Sequence, residues 1–306
     1  MQFDAQLGKP AENRSRVDAI MSRAGIQCGD LNLLVLPEMA FSGYCFKDRT
    51  EVEPFAESAT DGATATWCRQ TARRLGCHVA CGFPEALPPH PQPLSPGGER
   101  GEKGPPPHPQ PLSPGGERGV ILYNAMILVD PAGETVHVHR KHFLYTTDET
   151  WASEGPGFTC MDVPGLGHCA FAICMDFNPK QFKAPFDRHE FASSLFEPAL
   201  KHREAYDPQR HRLKANLVIA CNNWLRSALD RGLADEEHQV RLLNYWAARM
   251  APVLDLPVTL VIANRVGVER GTTFAGTSCV IDLKNRAVLG NLNGTDEGVL
   301  VIRVPS

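Results

Sequence analysis

A chain of 306 residues can bury a large core, in one large domain or two. A formal charge of −4 gives no argument for a nucleic-acid or anionic-membrane partner, and none is expected; no apolar run approaches the roughly 20 residues that cross a bilayer. The opening Met1-Gln2-Phe3-Asp4 meets an acid at once, so no export signal is read there. The ten cysteines are scattered without paired metal spacing, so reduced thiols in a cytoplasmic setting are expected.

Residues 2–7 read as a short strand that begins abruptly. A helix follows near Asn13, with Val17, Ile20, Met21 and Ala24 on one face and Gly25 as its stop. Residues 32–37 form a near-continuous apolar run, as a strand covered on both faces needs. A second helix over 61–75 places Trp67, Cys68, Thr71 and Leu75 at helical spacing and ends at Gly76. Residues 78–83 read as another strand.

The composition then breaks. Residues 89–101 and 107–119 carry the same string, PHPQPLSPGGERG. The block has no apolar face to stack, so it is not a solenoid unit. Its Pro and Gly content predicts a disordered insertion over about 86–119, placed in a hairpin loop. Such an insertion costs little, because closure entropy grows only logarithmically with length. A Pro-rich ligand for a partner domain is the functional alternative.

Residues 121–129 resume the pattern, Asp130-Pro131-Ala132-Gly133 is a turn, and 134–140 return as a strand. Another strand ends at Cys174, and a helix is expected within 187–203. Residues 216–222 read as a strand before Asn222-Asn223-Trp224. A helix over 236–250 is expected to turn Val240, Leu243, Trp246, Ala247 and Met250 inward. Strands at 258–263, 277–282 and 298–303 close the chain. Alternating strands and helices define a layered α/β protein.

Three strand-like runs end on a chemical group. Leu33-Leu34-Val35-Leu36-Pro37 leads into Glu38, Val136-His137-Val138-His139-Arg140 into Lys141, and Phe171-Ala172-Ile173 into Cys174. A carboxylate, an ammonium and a thiol delivered to one rim could open an amide by covalent catalysis. Each has a plainer reading: a solvated carboxylate, a basic strand edge and a small core residue. His137, His139 and His142 have a zinc-ligand reading; histidines facing solvent on a strand edge are preferred, and no metal is expected.

Leu36-Pro37-Glu38-Met39-Ala40-Phe41-Ser42-Gly43-Tyr44 resembles the first motif of the nitrilase, or carbon–nitrogen hydrolase, superfamily. Tyr123-Asn124-Ala125 with Arg140-Lys141-His142-Phe143-Leu144 resembles the second, and Ile173-Cys174-Met175-Asp176 the third. Asn264-Arg265-Val266-Gly267 and Phe274-Ala275-Gly276-Thr277-Ser278 are similar to the closing strands. Within the superfamily, Cys174-Met175-Asp176-Phe177-Asn178-Pro179, Phe182-Lys183-Ala184-Pro185-Phe186 and Asn244-Tyr245-Trp246 resemble the protein N-terminal amidases, which deamidate N-terminal Asn and Gln.

The resemblance implies one domain over 1–306, a four-layer α-β-β-α sandwich of the nitrilase type, broken only by the repeat insertion. It implies Cys174 as nucleophile, Glu38 as base, and Lys141 with the Met175 backbone N–H as oxyanion donors, without a cofactor. Glu149 fits best as the assisting second glutamate, with Asp148 adjacent. Asp176, Asp187 and Glu190 are candidates for reading a substrate ammonium, and Asn223 and Trp224 for walling the pocket. The implied partner is a peptide N-terminus or a small amide, with a homo-oligomer or a monomer both open. A small-molecule amidase and an inactive relative that binds through its Pro-rich loop are the alternatives.

Overall fold

The computed structural model describes residues 1–88, 119–197, 212–227, 230 and 232–304. Its helices are α1 (Pro10–Arg23), α2 (Arg49–Val52), α3 (Ala63–Leu75), α4 (Glu190–Ser194) and α5 (Asp235–Arg249). Its first strands are β1 (Leu33–Val35), β2 (His78–Leu87), β3 (Ile121–Val129), β4 (Thr135–Arg140), β5 (Cys160–Val163) and β6 (Gly167–Ile173). Then come β7 (Phe196–Glu197), β8 (Arg212–Leu213), β9 (Leu217–Cys221) and β10 (Thr259–Ala263). The last are β11 (Val268–Glu269), β12 (Thr272–Thr273), β13 (Cys279–Asp282) and β14 (Ala287–Asn291).

Two sheets make the frame. One runs β1-β2-β3-β4, the other β14-β13-β10-β9-β6-β5. β1 pairs parallel with β2, and β9 parallel with both β6 and β10. The period of two along each strand sorts side chains into layers. On β6, Cys169, Phe171 and Ile173 point to the space between the sheets, while Ala170 and Ala172 face the helical side. On β9, Ile219 and Cys221 face inward to the same space, and Val218 and Ala220 outward. β2 does likewise, with Ala80 between the sheets and Val79 and Cys81 outward. Val17, Ile20 and Met21 of α1 and Cys68 and Leu75 of α3 cover the first sheet. Leu242 and Trp246 of α5 cover the second. The layers are α-β-β-α.

Sequence signals account for the outer helices. Pro10 stands in the first turn of α1, where its missing N–H costs nothing. α3 ends on Gly76 in the left-handed conformation (φ 65°), whose N–H closes on Ala72 O. Its last turn carries Arg73 and Arg74 against the negative end of the helix dipole.

Two expectations fail and a third holds only in part. Residues 2–7 form no strand: Gln2 makes one bridge, to Gly298, while Phe3 and Ala5 serve the core. Residues 298–303 form no ladder either, and β14, at 287–291, takes the sheet edge instead. Leu300 and Ile302 crowd Gly290 on β14, so the apolar run is used for packing rather than pairing. On α5 the inward face is His238, Leu242, Trp246 and Arg249; Trp246 and the following Met250 stand inward as expected and Leu243 packs partly buried beside them, but Val240 is 58% exposed. The binary pattern misplaces this face because a buried Arg and His occupy core-facing positions. β2 and β3 pair out to Leu87 and Ile121, so their hairpin closes directly below the repeat segment, of which 89–118 lie outside the described residues.

Candidate active site

The three chemical groups meet at the sheets' common rim. Glu38 follows β1, Lys141 follows β4 directly, and Cys174 follows β6 directly. Lys141 and Glu38 are both fully buried. The approach is close: a Cβ on Gly82 would fall 2.4 Å from Glu38 Cα, so only glycine lets β2 pass there. Cys174 has φ 42° and opens a tight turn over Cys174–Phe177. A left-handed non-Gly residue costs on the order of 1–3 kcal/mol and needs a surrounding structure to hold it. Here the Asn222 carboxamide, at the end of β9, accepts from the Cys174 N–H at 2.9 Å.

Lys141 Nζ donates to Glu38 Oε1 at 2.6 Å and to Asp148 Oδ2 at 2.5 Å. Asn124 Nδ2 donates to the same two carboxylates, at 2.6 and 2.9 Å. The Tyr145 N–H donates to Asp148 Oδ2 at 3.0 Å, and the Tyr44 hydroxyl reaches it at 3.4 Å. Every oxygen of the two carboxylates is thereby engaged except Glu38 Oε2, which is buried and has no partner. An unpartnered buried oxygen is costly to keep unless a reactant uses it.

Electrostatics set the resting protonation. Burial alone would lower the Lys141 pKa, but Asp148 and Glu38 outweigh it and hold the ammonium charged. Burial raises the Glu38 carboxyl above the ordinary range; Lys141 opposes this and Asp148 adds to it. Burial and the Glu38 charge push the Cys174 thiol well up, against Lys141 and the Asn223 backbone N–H. The cluster holds two carboxylates and one cation, so a thiolate would add a second uncompensated negative charge. The same charges hold Cys174 in its neutral thiol form.

The carbon–nitrogen hydrolase family pattern matches residues 5–179, the span holding all three groups. The chain belongs to that family. It is 31% identical to a protein N-terminal amidase of Schizosaccharomyces pombe, over 98% of this chain and 96% of that one. It is 25% identical to a nitrilase of Pyrococcus abyssi, over 99% of this chain and 87% of the relative. A crystal structure of an N-terminal amidase superimposes with a TM-score of 0.71 at 17% identity, covering 97% of this chain and 95% of that one.

In this family member the carboxylate paired with Lys141 is Asp148, not Glu149. Asp148 is fully buried; Glu149 is exposed on the same short turn, Asp148–Thr150. Spacing could not separate neighbours on a turn whose side chains point opposite ways. Asp176 corrects a second expectation. Its carboxylate is buried and accepts from the N–H groups of Ile173 (2.8 Å), Phe143 (2.8 Å) and His142 (3.1 Å), with His139 Nε2 at 3.3 Å. It ties the turn of Cys174 to the segment after Lys141, and no acceptor remains for a substrate. Glu190 pairs with Arg249 at 3.3 Å, and Asp187 is exposed; neither lines the cavity beside Cys174.

That cavity, about 550 Å³, is walled by Asn223 and Trp224 as anticipated, together with Tyr44, Tyr145 and Met175. Both polar atoms of the Asn223 side chain are buried and unpartnered. The histidines on β4 depart from their anticipated place: His137 stacks on Phe171 at 4.7 Å, and His139 is buried. They face the space between the sheets rather than solvent. Sequence reasoning missed Asn124, although it was quoted within a motif, and Asp230, which lines the cavity from the segment before α5. Neither carries a local signal: one is an Asn within an apolar strand, the other one acid among several in a polar loop.

Proposed function

We propose that the chain hydrolyses a carboxamide to acid and ammonia through a Cys174 thioester, acting on N-terminal Asn or Gln of a peptide. The reaction rests on one observation: Glu38, held by Lys141 and Asn124 through one oxygen, keeps the other buried and unpartnered beside Cys174. Glu38 takes the thiol proton as sulfur attacks the amide carbon. Lys141 and the Met175 backbone N–H receive the developing oxyanion, a donor pair of which each member typically contributes about 3–4 kcal/mol. The C–N bond breaks, and the proton on Glu38 leaves with nitrogen as ammonia. Water then attacks the thioester, Glu38 takes its proton and the thiol is restored. Asp148 keeps Lys141 charged and oriented without touching the reacting atoms.

The peptide substrate rests on near-full-length likeness to the fission-yeast amidase. A cavity of about 550 Å³ lies within the roughly 300–1,000 Å³ usual for small-ligand sites and leaves room for a first residue. Asn223 and Trp224 serve as its walls. Among the described residues no helix is long and apolar enough to cross a membrane.

Mass spectrometry of the purified chain tests this on an Asn-initiated peptide, its Nα-acetyl counterpart and a simple aliphatic amide. A gain of one mass unit on the free-amine peptide alone is expected, and Cys174→Ala should abolish it. Equal turnover of the acetylated peptide would replace the N-terminal reading with a general amidase of the same family.

A further inference from the structure

An N-terminal amidase must distinguish a free α-ammonium from every other amide-bearing residue, and that cation needs an acceptor, best a carboxylate. Among the described residues lining the cavity with Cys174, Asp230 is the sole carboxylate. It reaches the cavity from the segment between β9 and α5, and β9 is the parallel neighbour of β6, which delivers Cys174. We propose that Asp230 binds the α-ammonium of the substrate's first residue.

The geometry of the carboxylate fits that task. Oδ2 accepts from the N–H and the hydroxyl of Ser227, each at 2.7 Å, which fixes the group's orientation. Oδ1 carries a guanidinium contact from Arg241 at 3.3 Å, and His238 Nε2 lies 3.7 Å from Oδ2. An ionised carboxylate offers about four lone-pair sites, so acceptor capacity remains on Oδ1 for a three-donor ammonium. The side chain is 10% exposed, shielded enough for the interaction to escape most solvent screening. Burial would raise its pKa, but Ser227, His238 and Arg241 together hold it below the ordinary value, so it is charged when substrate arrives. Trp224 and Tyr245, whose rings stand 5.6 Å apart on the same cavity, add aromatic faces that also favour a cation. A formyl, acetyl or chain-extended amine would present no charge to this corner, and the carboxylate would be left without its partner.

This inference rests on the N-terminal amidase reading, and the test separates the two. Binding of an Asn-initiated peptide and of its desamino (succinamoyl) analogue is measured by calorimetry in the Cys174→Ala background, with and without Asp230→Asn. Asparagine keeps an oxygen for Ser227 and removes the charge along with one acceptor oxygen. In Cys174→Ala the free-amine peptide should bind about 10- to 100-fold more tightly than the analogue. Adding Asp230→Asn should erase that preference, leaving the analogue's affinity unchanged, and Asp230→Glu should restore part of it. A preference that survives Asp230→Asn, or an equal loss of both ligands, overturns the role of Asp230 while leaving the peptide substrate intact. No preference in Cys174→Ala itself would instead overturn the N-terminal reading.

Discussion

Two buried carboxylates flank Cys174, and they are used in opposite ways. Asp176 spends both oxygens on three backbone N–H groups and His139. Glu38, equally buried, gives one oxygen to Lys141 and Asn124 and keeps the other bare. Saturation makes Asp176 a staple: removing its charge leaves three donors facing a poorer acceptor. Incompleteness suits Glu38 to the proposed role of base, because a dry oxygen with no donor can take a proton from the neighbouring thiol. Burial alone therefore says little about role. The inventory of partners separates structure from chemistry.

The widest gap between the two should appear in turnover. Glu38→Gln is expected to lower kcat roughly 10²–10⁴-fold, the usual range for a lost general base, with a smaller loss of stability than at Asp176, since burial already disfavours the Glu38 charge. Equal activity with Gln would end its assignment as base. Asp176→Asn should reverse the pattern, costing about 3 kcal/mol in denaturant unfolding and reducing turnover mainly through the folded fraction.

Lys141 sharpens the comparison on the next turn. Asp148→Asn strips one of its two counter-charges and should destabilise the fold by about 2–3 kcal/mol. Glu149→Gln should stay within about 0.5 kcal/mol of the parent. Thermal melts of the pair decide it, and matching melts would return Glu149 to consideration.

The smallest effect concerns pH, behind the site. His137 is driven down to about 4, first by burial, then by His139 and Arg140. Its folded pKa lies below the unfolded value of about 6.5, so folding favours the neutral ring. That stability is present above about pH 6.5 and is lost as pH falls toward 4, because only the unfolded chain gains the proton. The ring is partly exposed, which softens the effect. The melting temperature of His137→Phe should fall less steeply than that of the parent across this window; parallel curves would remove His137 from acid destabilisation.

The sequence by itself determined the layers and pointed to the three groups proposed to react. Near-continuous apolar runs along 32–37, 78–83 and 216–222 dictate strands buried on both faces, and an apolar run ending on Glu, Lys or Cys places each group at a strand's end. Those signals are local, so one chain suffices to read them. Tertiary structure decided what depends on neighbours distant in sequence. Asp148 rather than Glu149 meets Lys141 because a turn aims adjacent side chains apart. Asp176 is withdrawn from the cavity because donors from β6 and from the segment after β4 converge on it. β14 rather than 298–303 takes the sheet edge because only one apolar run can pair with β13. Asn124 and Asp230 enter the site from a strand interior and a polar loop, where nothing in the local pattern marks them. Hydrogen-bond partners and shared cavities are properties of the assembled layers, and no periodicity in the chain encodes them.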